Sequence, residues 1–508
     1  MANNALLLNE VACNGCGICV KTCPQLVFDQ ENKGQPPSLK AKERCYGCMA
    51  CEEDCPQGAI VVHRLPAHMK LEDIPPPCQG LDEETVFDIV IIGAGPAGLG
   101  AAIRARMLDL KVLVLERLPS SKRAHHPDGG FLFATPEIYN VSYEKKFIHI
   151  KELDLKLPSS LLKERLQDFS LVGPSSQRTK RREKEWAGFP IVDKDLLVHH
   201  LALRAEELGA VLCYNTRAIG ISSHRDDGLR TVTTACGKSL QAKIVISAEG
   251  ISGRLTEKAG IPVNAKSLYW AISPYASFPP AEKPTSECAF IVSQGAGEES
   301  KEQIPYLRYT SSGPGGIHLA AGPVQRHKYR VPNKPATEIL EKFINEGKEE
   351  QEILGRQIKL TSEQYDGCRV LVREIPKTFV GPALIAVGDA IATSTMMTNL
   401  LAIKSGDVAA TVAHEAIKEK DTSANFLRRY DDIMRANQMF MGMSWMNKLL
   451  FKAPMELPLA RQNELYSLLR SLCLSKVQAG ELWPLFAFYL RISPTLIFDS
   501  ELRSYLVP

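Results

Sequence analysis

The chain has 508 residues, 44% hydrophobic and 23% charged, with a net charge of +3. At about 100–200 residues per domain this is room for roughly three units with a large core, and the charge is too mild for a nucleic-acid surface, so no nucleic-acid partner is expected. No uninterrupted apolar stretch approaches the ~20 residues of a spanning helix. The opening residues, MANNALLLNEVACNGCG, lack the basic n-region and long apolar run of a secretory signal, so none is expected.

Fourteen cysteines are many for such a chain, and their spacing decides their use, because clustered cysteines in an intracellular protein favour metal over disulfide. Eight fall in two runs, Cys13-x2-Cys16-x2-Cys19-x3-Cys23-Pro24 and Cys45-x2-Cys48-x2-Cys51-x3-Cys55-Pro56. Each has the bacterial ferredoxin spacing, in which three closely spaced thiolates wrap one 4Fe–4S cube and the fourth leads to the other cube. The expected grouping is therefore Cys13, Cys16, Cys19 and Cys55 on one cluster, and Cys45, Cys48, Cys51 and Cys23 on the second. Structural zinc would want separated pairs rather than triplets. Gly15, Gly17 and Gly47 let backbone amides approach the sulfurs and tune the potential. Cys78, Cys213, Cys236, Cys288, Cys368 and Cys473 are scattered and are expected as small buried hydrophobes.

Residues 64–85 hold four prolines, three of them consecutive at Pro75, Pro76 and Pro77, which predicts a stiff extended linker. A short apolar strand, Phe87 to Ile92, then runs into Gly93-x-Gly95-x-x-Gly98, followed by a helix (Ala101 to Met107) and a second strand, Lys111 to Leu115, ending at Glu116. A strand before the glycines, a helix after them and an acid about 20 residues on make the dinucleotide-binding fingerprint. Gly93 allows the tight turn, Gly95 admits the pyrophosphate and Gly98 lets helix meet strand. The helix N-terminus faces the phosphates, and Glu116 is expected on the ribose hydroxyls.

Three later segments choose FAD: a strand ending in Ala248-Glu249-Gly250 with Ser252 and Arg254 beyond it, a strand ending in Gly388-Asp389, and the helix Leu400 to Glu415 that follows. No second glycine fingerprint follows a strand, since Gly313-Pro314-Gly315-Gly316 looks like a turn, so no separate nicotinamide domain is expected. With Asp128-Gly129-Gly130-Phe131-Leu132-Phe133 and the run Ala402 to Ala410, these segments make residues 86–425 resemble the superfamily of FixC, geranylgeranyl reductases and electron-transfer-flavoprotein:quinone oxidoreductases. The resemblance implies that Gly129 and Gly130 lie near the flavin ring, that Glu249 and Gly250 stand where the family has Asp-Gly, and that Asp389, with Gly388, binds FAD at its ribityl or pyrophosphate region. The quinone oxidoreductases carry one cluster in a C-terminal domain; this chain carries its cysteine runs at the N-terminus.

The expected fold is an α+β ferredoxin-like domain (1–63), the linker (64–85), and an α/β FAD-binding body like p-hydroxybenzoate hydroxylase (86–134, 190–262 and 368–425). A β-rich substrate lobe (135–189 and 263–367) and a helical C-terminal region (426–508) complete it. Iron–sulfur clusters pass single electrons and flavin handles one or two, so their fusion predicts an oxidoreductase moving electrons between two 4Fe–4S clusters and an apolar substrate at FAD. The resemblance implies a prenyl C=C bond or a quinone as that substrate. The partner is a single-electron carrier, ferredoxin or electron-transfer flavoprotein. The alternative is a FixC-like electron-transfer subunit in a larger redox complex. The expected location is the cytoplasm, peripherally at the membrane. His125, His126, Tyr306 and Tyr309 are candidate proton donors of low specificity. The basic run Arg178 to Lys184 reads as a solvated loop or hairpin, with an anionic partner as its functional alternative. The methionines between Met434 and Met446 read as core or interface packing rather than a greasy channel, and Leu482 to Leu490 could touch a membrane surface.

Overall fold

The computed structural model describes residues 2–66, 74, 76, 77, 81–120, 132, 138–182, 189–224, 228–263, 269–281, 286–294, 305–313, 316–325, 334–354, 365–372, 375–391, 399–437, 448–474 and 499–506. The N-terminal unit is small. Strand Ala2–Leu8 pairs antiparallel with Ile60–Pro66 in the register Leu6↔Val62, and two five-residue helices, Ile18–Thr22 and Ala50–Asp54, lie between them in sequence. Its apolar core is thin, with Leu6, Val27, Phe28, Met49, Ile60 and Val62 joined by the buried thiols Cys19, Cys23 and Cys51.

The dinucleotide body is built on an eight-stranded sheet. Five strands run parallel in the order Val211–Cys213, Val112–Leu115, Val86–Ile92, Ser239–Ser247 and Leu384–Ala386. Val86–Ile92 and Val112–Leu115 are nearly continuous apolar runs, buried throughout except at Val86 and Asp88, as suits strands inside a parallel sheet. Helix Pro96–Met107 shows why an amphipathic stripe is absent there: Leu99, Gly100, Ala101, Ala102, Ile103 and Ala105 are all buried, since the helix is sandwiched between the sheet and the long helix Asn399–Glu419. That sandwich needs glycine. A Cβ on Gly406 would lie 1.9 Å from the carbonyl oxygen of Ala97, so the two helices approach backbone to backbone. Arg104 Nε then reaches Asp407 Oδ1 across the same seam at 2.5 Å, and Tyr139 donates to Asp407 Oδ2 at 2.9 Å.

A second sheet has seven strands in the order Arg178–Arg182, Asp168–Val172, Glu287–Gln294, Pro305–Gly313, Gly316–Gln325, Tyr269–Phe278 and Tyr365–Val372. Helix Ala336–Glu346 covers one face through Leu340 and Ile344. The C-terminal helical segments cover the other, where Leu449, Phe451, Leu465 and Tyr466 meet Leu171, Phe290, Leu307 and Val372. One feature differs from the sequence expectations. The hairpin strands between 141 and 158 belong to the dinucleotide core, with Ile148, Ile150, Leu155 and Leu157 packed into it, although the sequence places them with the substrate lobe. Up to Arg182 the basic run takes the hairpin form of its two expected readings: it pairs antiparallel with Asp168–Val172 as an edge strand, and Arg178 pairs with Glu287 at 2.7 Å.

Candidate cofactor sites

The two cysteine runs fold as near-copies with an offset of 32 residues, and Thr22 of the first helix donates to Asp54, its counterpart in the second, at 2.9 Å. Gly17 and Met49 occupy equivalent helix N-caps with φ of 70° and 62°, and Cys23 and Cys55 equivalent C-caps. Each copy begins a helix at its third cysteine region and sends its fourth cysteine to the opposite end. The result is two cavities. Cys13, Cys16, Cys19 and Cys55 line one. Cys23, Cys45, Cys48 and Cys51 line the other, together with Leu6, Val27 and Phe28. Among the described residues no three His, Cys, Asp or Glu side chains converge on a single metal ion; the thiols ring a space instead.

That space suits a cube of iron and sulfide. Backbone amides point at the sulfurs, from Gly15 to Cys13 at 3.4 Å, Val27 to Cys23 at 3.5 Å and Ala59 to Cys55 at 3.3 Å. Burial pushes the Cys19 thiol up to about 12 and Cys23 to about 11. Such thiols stay protonated near neutrality unless positive iron draws the proton off, so loading the clusters must release protons and couple to folding of the domain.

Four segments of the body meet at the N-terminus of helix Pro96–Met107. Gly93 has φ 102°, and a Cβ on it would meet the Ala248 carbonyl oxygen at 2.4 Å; a Cβ on Gly98 would meet the Gly93 oxygen at 1.9 Å. The space above Gly95 is open, which is where a pyrophosphate can approach the helix amides. Glu116 closes one side, its carboxylate accepting from Ala94 N at 2.6 Å and Leu118 N at 2.8 Å. From the other side comes the turn Gly388–Ala390, with Gly388 against Ala97 and its amide donating to Ser405 Oγ at 3.0 Å. Asp389 therefore stands beside the glycine loop. Gly250 starts the neighbouring turn Gly250–Ser252. Glu249 is tied into its own turn. Its two oxygens accept from Ser247, Ser252, Thr256 Oγ1 and the amides of Leu255 and Thr256 at 2.7–3.3 Å, so it holds the turn that carries Gly250. Gly129 and Gly130 lie outside the described residues, as do His125, His126, residues 439–446 and residues 482–490.

The cluster domain is docked on this same sheet edge. Residues that follow the carboxyl ends of three parallel strands grip its second helix. Arg117, directly after Glu116, binds Glu52 Oε1 at 2.7 Å, and Arg217 binds the same oxygen at 2.8 Å. Arg254 donates to the carbonyl oxygen of Cys55 at 2.8 Å. Glu52 is 3% exposed, and its other oxygen accepts from Val62 N at 2.7 Å. The domain also reaches the seven-stranded sheet: Ala336 N donates to the Pro24 carbonyl at 2.9 Å, Gln25 bonds Thr337 at 3.1 Å, and Tyr46 packs on Gly367. Sequence reasoning missed this contact. One signal was present: the position of Glu52 is Val20 in the first cysteine run, and a carboxylate replacing an apolar residue in a repeat asks for a buried partner.

Comparison with known proteins agrees with both halves. Residues 12–60 match the 4Fe-4S dicluster domain family and residues 88–266 the FAD dependent oxidoreductase family. This is an FAD-dependent oxidoreductase with a 4Fe–4S dicluster domain. The iron–sulfur oxidoreductase is 24% identical over 359 residues to a digeranylgeranylglycerophospholipid reductase of Methanocaldococcus jannaschii, covering 68% of this chain and 81% of that one. It is 26% identical over 363 residues, with the same coverage, to digeranylgeranylglycerophospholipid reductase 2 of Methanosphaera stadtmanae. Its fold is similar to a geranylgeranyl bacteriochlorophyll reductase-like protein from Thermoplasma acidophilum, with a TM-score of 0.58 at 18% identity over 83% of this chain and 99% of that one. It also resembles the flavin-dependent halogenase CmlS, with a TM-score of 0.54 at 14% identity over 82% of this chain and 78% of that one.

The remaining sequence candidates separate. Tyr306 and Tyr309 of the oxidoreductase share strand Pro305–Gly313 but sit on opposite faces, because side chains alternate along a strand: Tyr306 stacks on Phe343 and Tyr309 on Phe290, each at 5.1 Å. They cannot serve one proton-transfer step together. Cys213 and Cys288 are buried as expected, whereas Cys236 is exposed and disulfide-bonded. No helix among the described residues is long and apolar enough to cross a membrane.

Proposed function

We propose that this oxidoreductase takes single electrons from an external carrier at its cluster domain and uses them in pairs, at FAD, to reduce isolated C=C bonds of a prenyl chain. The observation that carries the proposal is the docking of the cluster domain on the sheet edge that bears the glycine loop, Glu116 and Gly388. A domain seated there, bridging to the seven-stranded sheet, has no evident purpose other than short-range delivery to the dinucleotide site. In this reading Cys13, Cys16, Cys19 and Cys55 hold one cluster and Cys23, Cys45, Cys48 and Cys51 the other. Gly93, Gly95, Gly98, Glu116, Gly250, Gly388 and Asp389 bind FAD. Once loaded, the clusters supply single electrons and FAD supplies their conversion to two-electron chemistry.

The chain's own residues do the rest. Arg117, Arg217 and Arg254 fix the cluster domain in place. The Pro96–Met107 helix amides and Glu116 orient the cofactor. The seven-stranded sheet, covered on both faces, serves as the substrate lobe that keeps water from the reacting bond. Each saturated bond consumes two electrons and two protons. The prenyl substrate is favoured because the names of the matched relatives specify a prenyl phospholipid, and such a substrate places the enzyme peripherally at the cytoplasmic face of a membrane.

The test is anaerobic incubation of the full chain with reduced ferredoxin and digeranylgeranylglycerol phospholipids, followed by mass spectrometry. The proposal expects a gain of two hydrogens per reduced bond. Reduction of quinones without any gain on the prenyl lipids would overturn it in favour of a quinone reductase. No turnover of either, with co-purifying redox subunits, would make it an electron-transfer subunit.

A further inference from the structure

Three arginines on three separate strand ends of the body converge on one short helix of the cluster domain. Arg117 follows the strand Val112–Leu115, Arg217 follows Val211–Cys213, and Arg254 opens the helix after Ser239–Ser247. They are close enough to feel one another: Arg117 and Arg254 both oppose the charge on Arg217. Against them the cluster domain sets two carboxylates: buried Glu52 contacts Arg117 and Arg217, and Glu53 reaches Arg117 at 4.0 Å; Glu116 of the body also bears on Arg117. Arg254 spends its charge on a neutral group, the carbonyls of Cys55 and Glu53 at 2.8 and 3.3 Å. Cys55 lines one cluster cavity, and Cys51, next to Glu52, lines the other.

The charges are therefore even in number but not in place: among the described residues Arg254 pairs with no carboxylate, and it sits on the carbonyl of Cys55 beside a cluster cavity. A 4Fe–4S cluster held by four thiolates is a net anion and gains one more negative charge when reduced; its potential follows nearby charge and hydrogen bonding. Side chains that are about one-third exposed keep part of their field, because they stand in a protein boundary rather than in bulk water.

We propose that Arg117, Arg217 and Arg254 form a cationic seat that raises the reduction potential of the docked clusters, so that electrons collect at the interface with the FAD site. Each electron enters from the external carrier, which is oxidised by one unit, and leaves to the flavin, which is reduced by one. The seat adds no reactant and alters only where the electron rests between those steps. Glu52 is its counterweight. It partly neutralises Arg117 and Arg217 and fixes their geometry. This inference rests on the two cofactors and stands whatever the final acceptor is, so a failed prenyl assay leaves it untouched.

The experiment is an anaerobic redox titration of the full-length holoprotein followed by EPR, with iron and flavin counted in each variant. Arg254→Gln should make the cluster bound by Cys55 harder to reduce by about tenfold in its equilibrium, a shift of about 59 mV to more negative potential for one electron. Arg254→Lys should recover more than half of that shift, since it keeps the charge. Glu52→Gln should move the cluster bound by Cys51 the opposite way, to easier reduction, because it strips an anion and leaves the arginines. A purely structural role has no means of producing shifts of opposite sign. If Arg254→Gln loses iron, Arg217→Gln, which touches no cluster-lining residue, must show the same downward shift. Unchanged potentials in Arg254→Gln and Arg217→Gln, or a downward shift in Glu52→Gln, would overturn the proposal.

Discussion

The N-terminal domain and the body of this oxidoreductase are held together by different physics. The body buries a continuous core from Phe87 through Met434, with Ile89, Val90, Leu113, Val245 and Leu401 wholly removed from water. The core of the cluster domain is six apolar side chains around three thiols, in a unit of a size at which a hydrophobic core gives only marginal stability. What it lacks in core it gains from its two clusters and from its seat on the body. The lesson is that cofactor loading and folding are one event for the first region and separable events for the second.

The largest test of that contrast removes a cluster ligand. Cys51→Ser should lower iron from about eight to about four per chain and open the cluster domain to proteolysis, while the body keeps its FAD and its melting transition. Loss of FAD together with iron would show that the two regions are not separable.

Next in size is a test within the body. Arg308 and Glu350 form an ion pair at 2.7 Å with side chains 9% and 3% exposed. Arg308→Ala leaves a buried carboxylate alone and should cost about 3–5 kcal/mol, seen in denaturant unfolding of the body with the iron content unchanged. A smaller effect is expected at Glu116. Glu116→Gln keeps the shape of the side chain but weakens its bonds to Ala94 N and Leu118 N and, in the proposed role, to the ribose, so FAD affinity should fall about tenfold, or ~1.4 kcal/mol, by flavin release on dilution.

The smallest effect is on pH, and it runs in opposite directions in the two regions. Burial raises Cys213 to about 11 and Tyr143 to about 12 in the folded body, from ordinary values of 9.0 and 10.0. A raised folded value means that the stability these groups contribute is complete below their unfolded values and is lost as pH climbs through the folded ones. The body should therefore begin to soften above about pH 9, by up to ~1.4 kcal/mol per unit for each such group, measured as melting temperature between pH 8 and 11. The cluster domain should fail on the acid side instead, where protons compete with iron for the thiolates. Iron release on the alkaline side ahead of body unfolding would contradict the contrast.

The two regions also differed in how much of them could be read from sequence. The cysteine runs and Gly93 to Glu116 are contiguous signals whose spacing alone dictates a local geometry, and the grouping of the thiols about two cavities follows from that spacing. Residues 141–158 misled because a hairpin of alternating apolar residues fits either sheet, and only packing against the dinucleotide core decides. The bonds of Glu249 to the Leu255 and Thr256 amides were not legible, because a carboxylate after a strand suits a cofactor or a helix N-terminus equally well. The seat of Arg117, Arg217 and Arg254 was illegible for a different reason. Its partners lie 65 to 199 residues apart in the chain, and no local period links them.

The central claim is that the cluster domain feeds the FAD site from within the same chain. Rapid-mixing absorbance under anaerobic conditions tests it most directly, by following flavin reduction with reduced ferredoxin as the only donor, in the native protein and in Cys16→Ala/Cys48→Ala protein that retains FAD. The account predicts a fall in the flavin reduction rate of about a hundredfold or more when both clusters are lost, equivalent to ~2.7 kcal/mol or more in the barrier. Equal rates in the two proteins would contradict it, since electrons would then reach the flavin without the clusters.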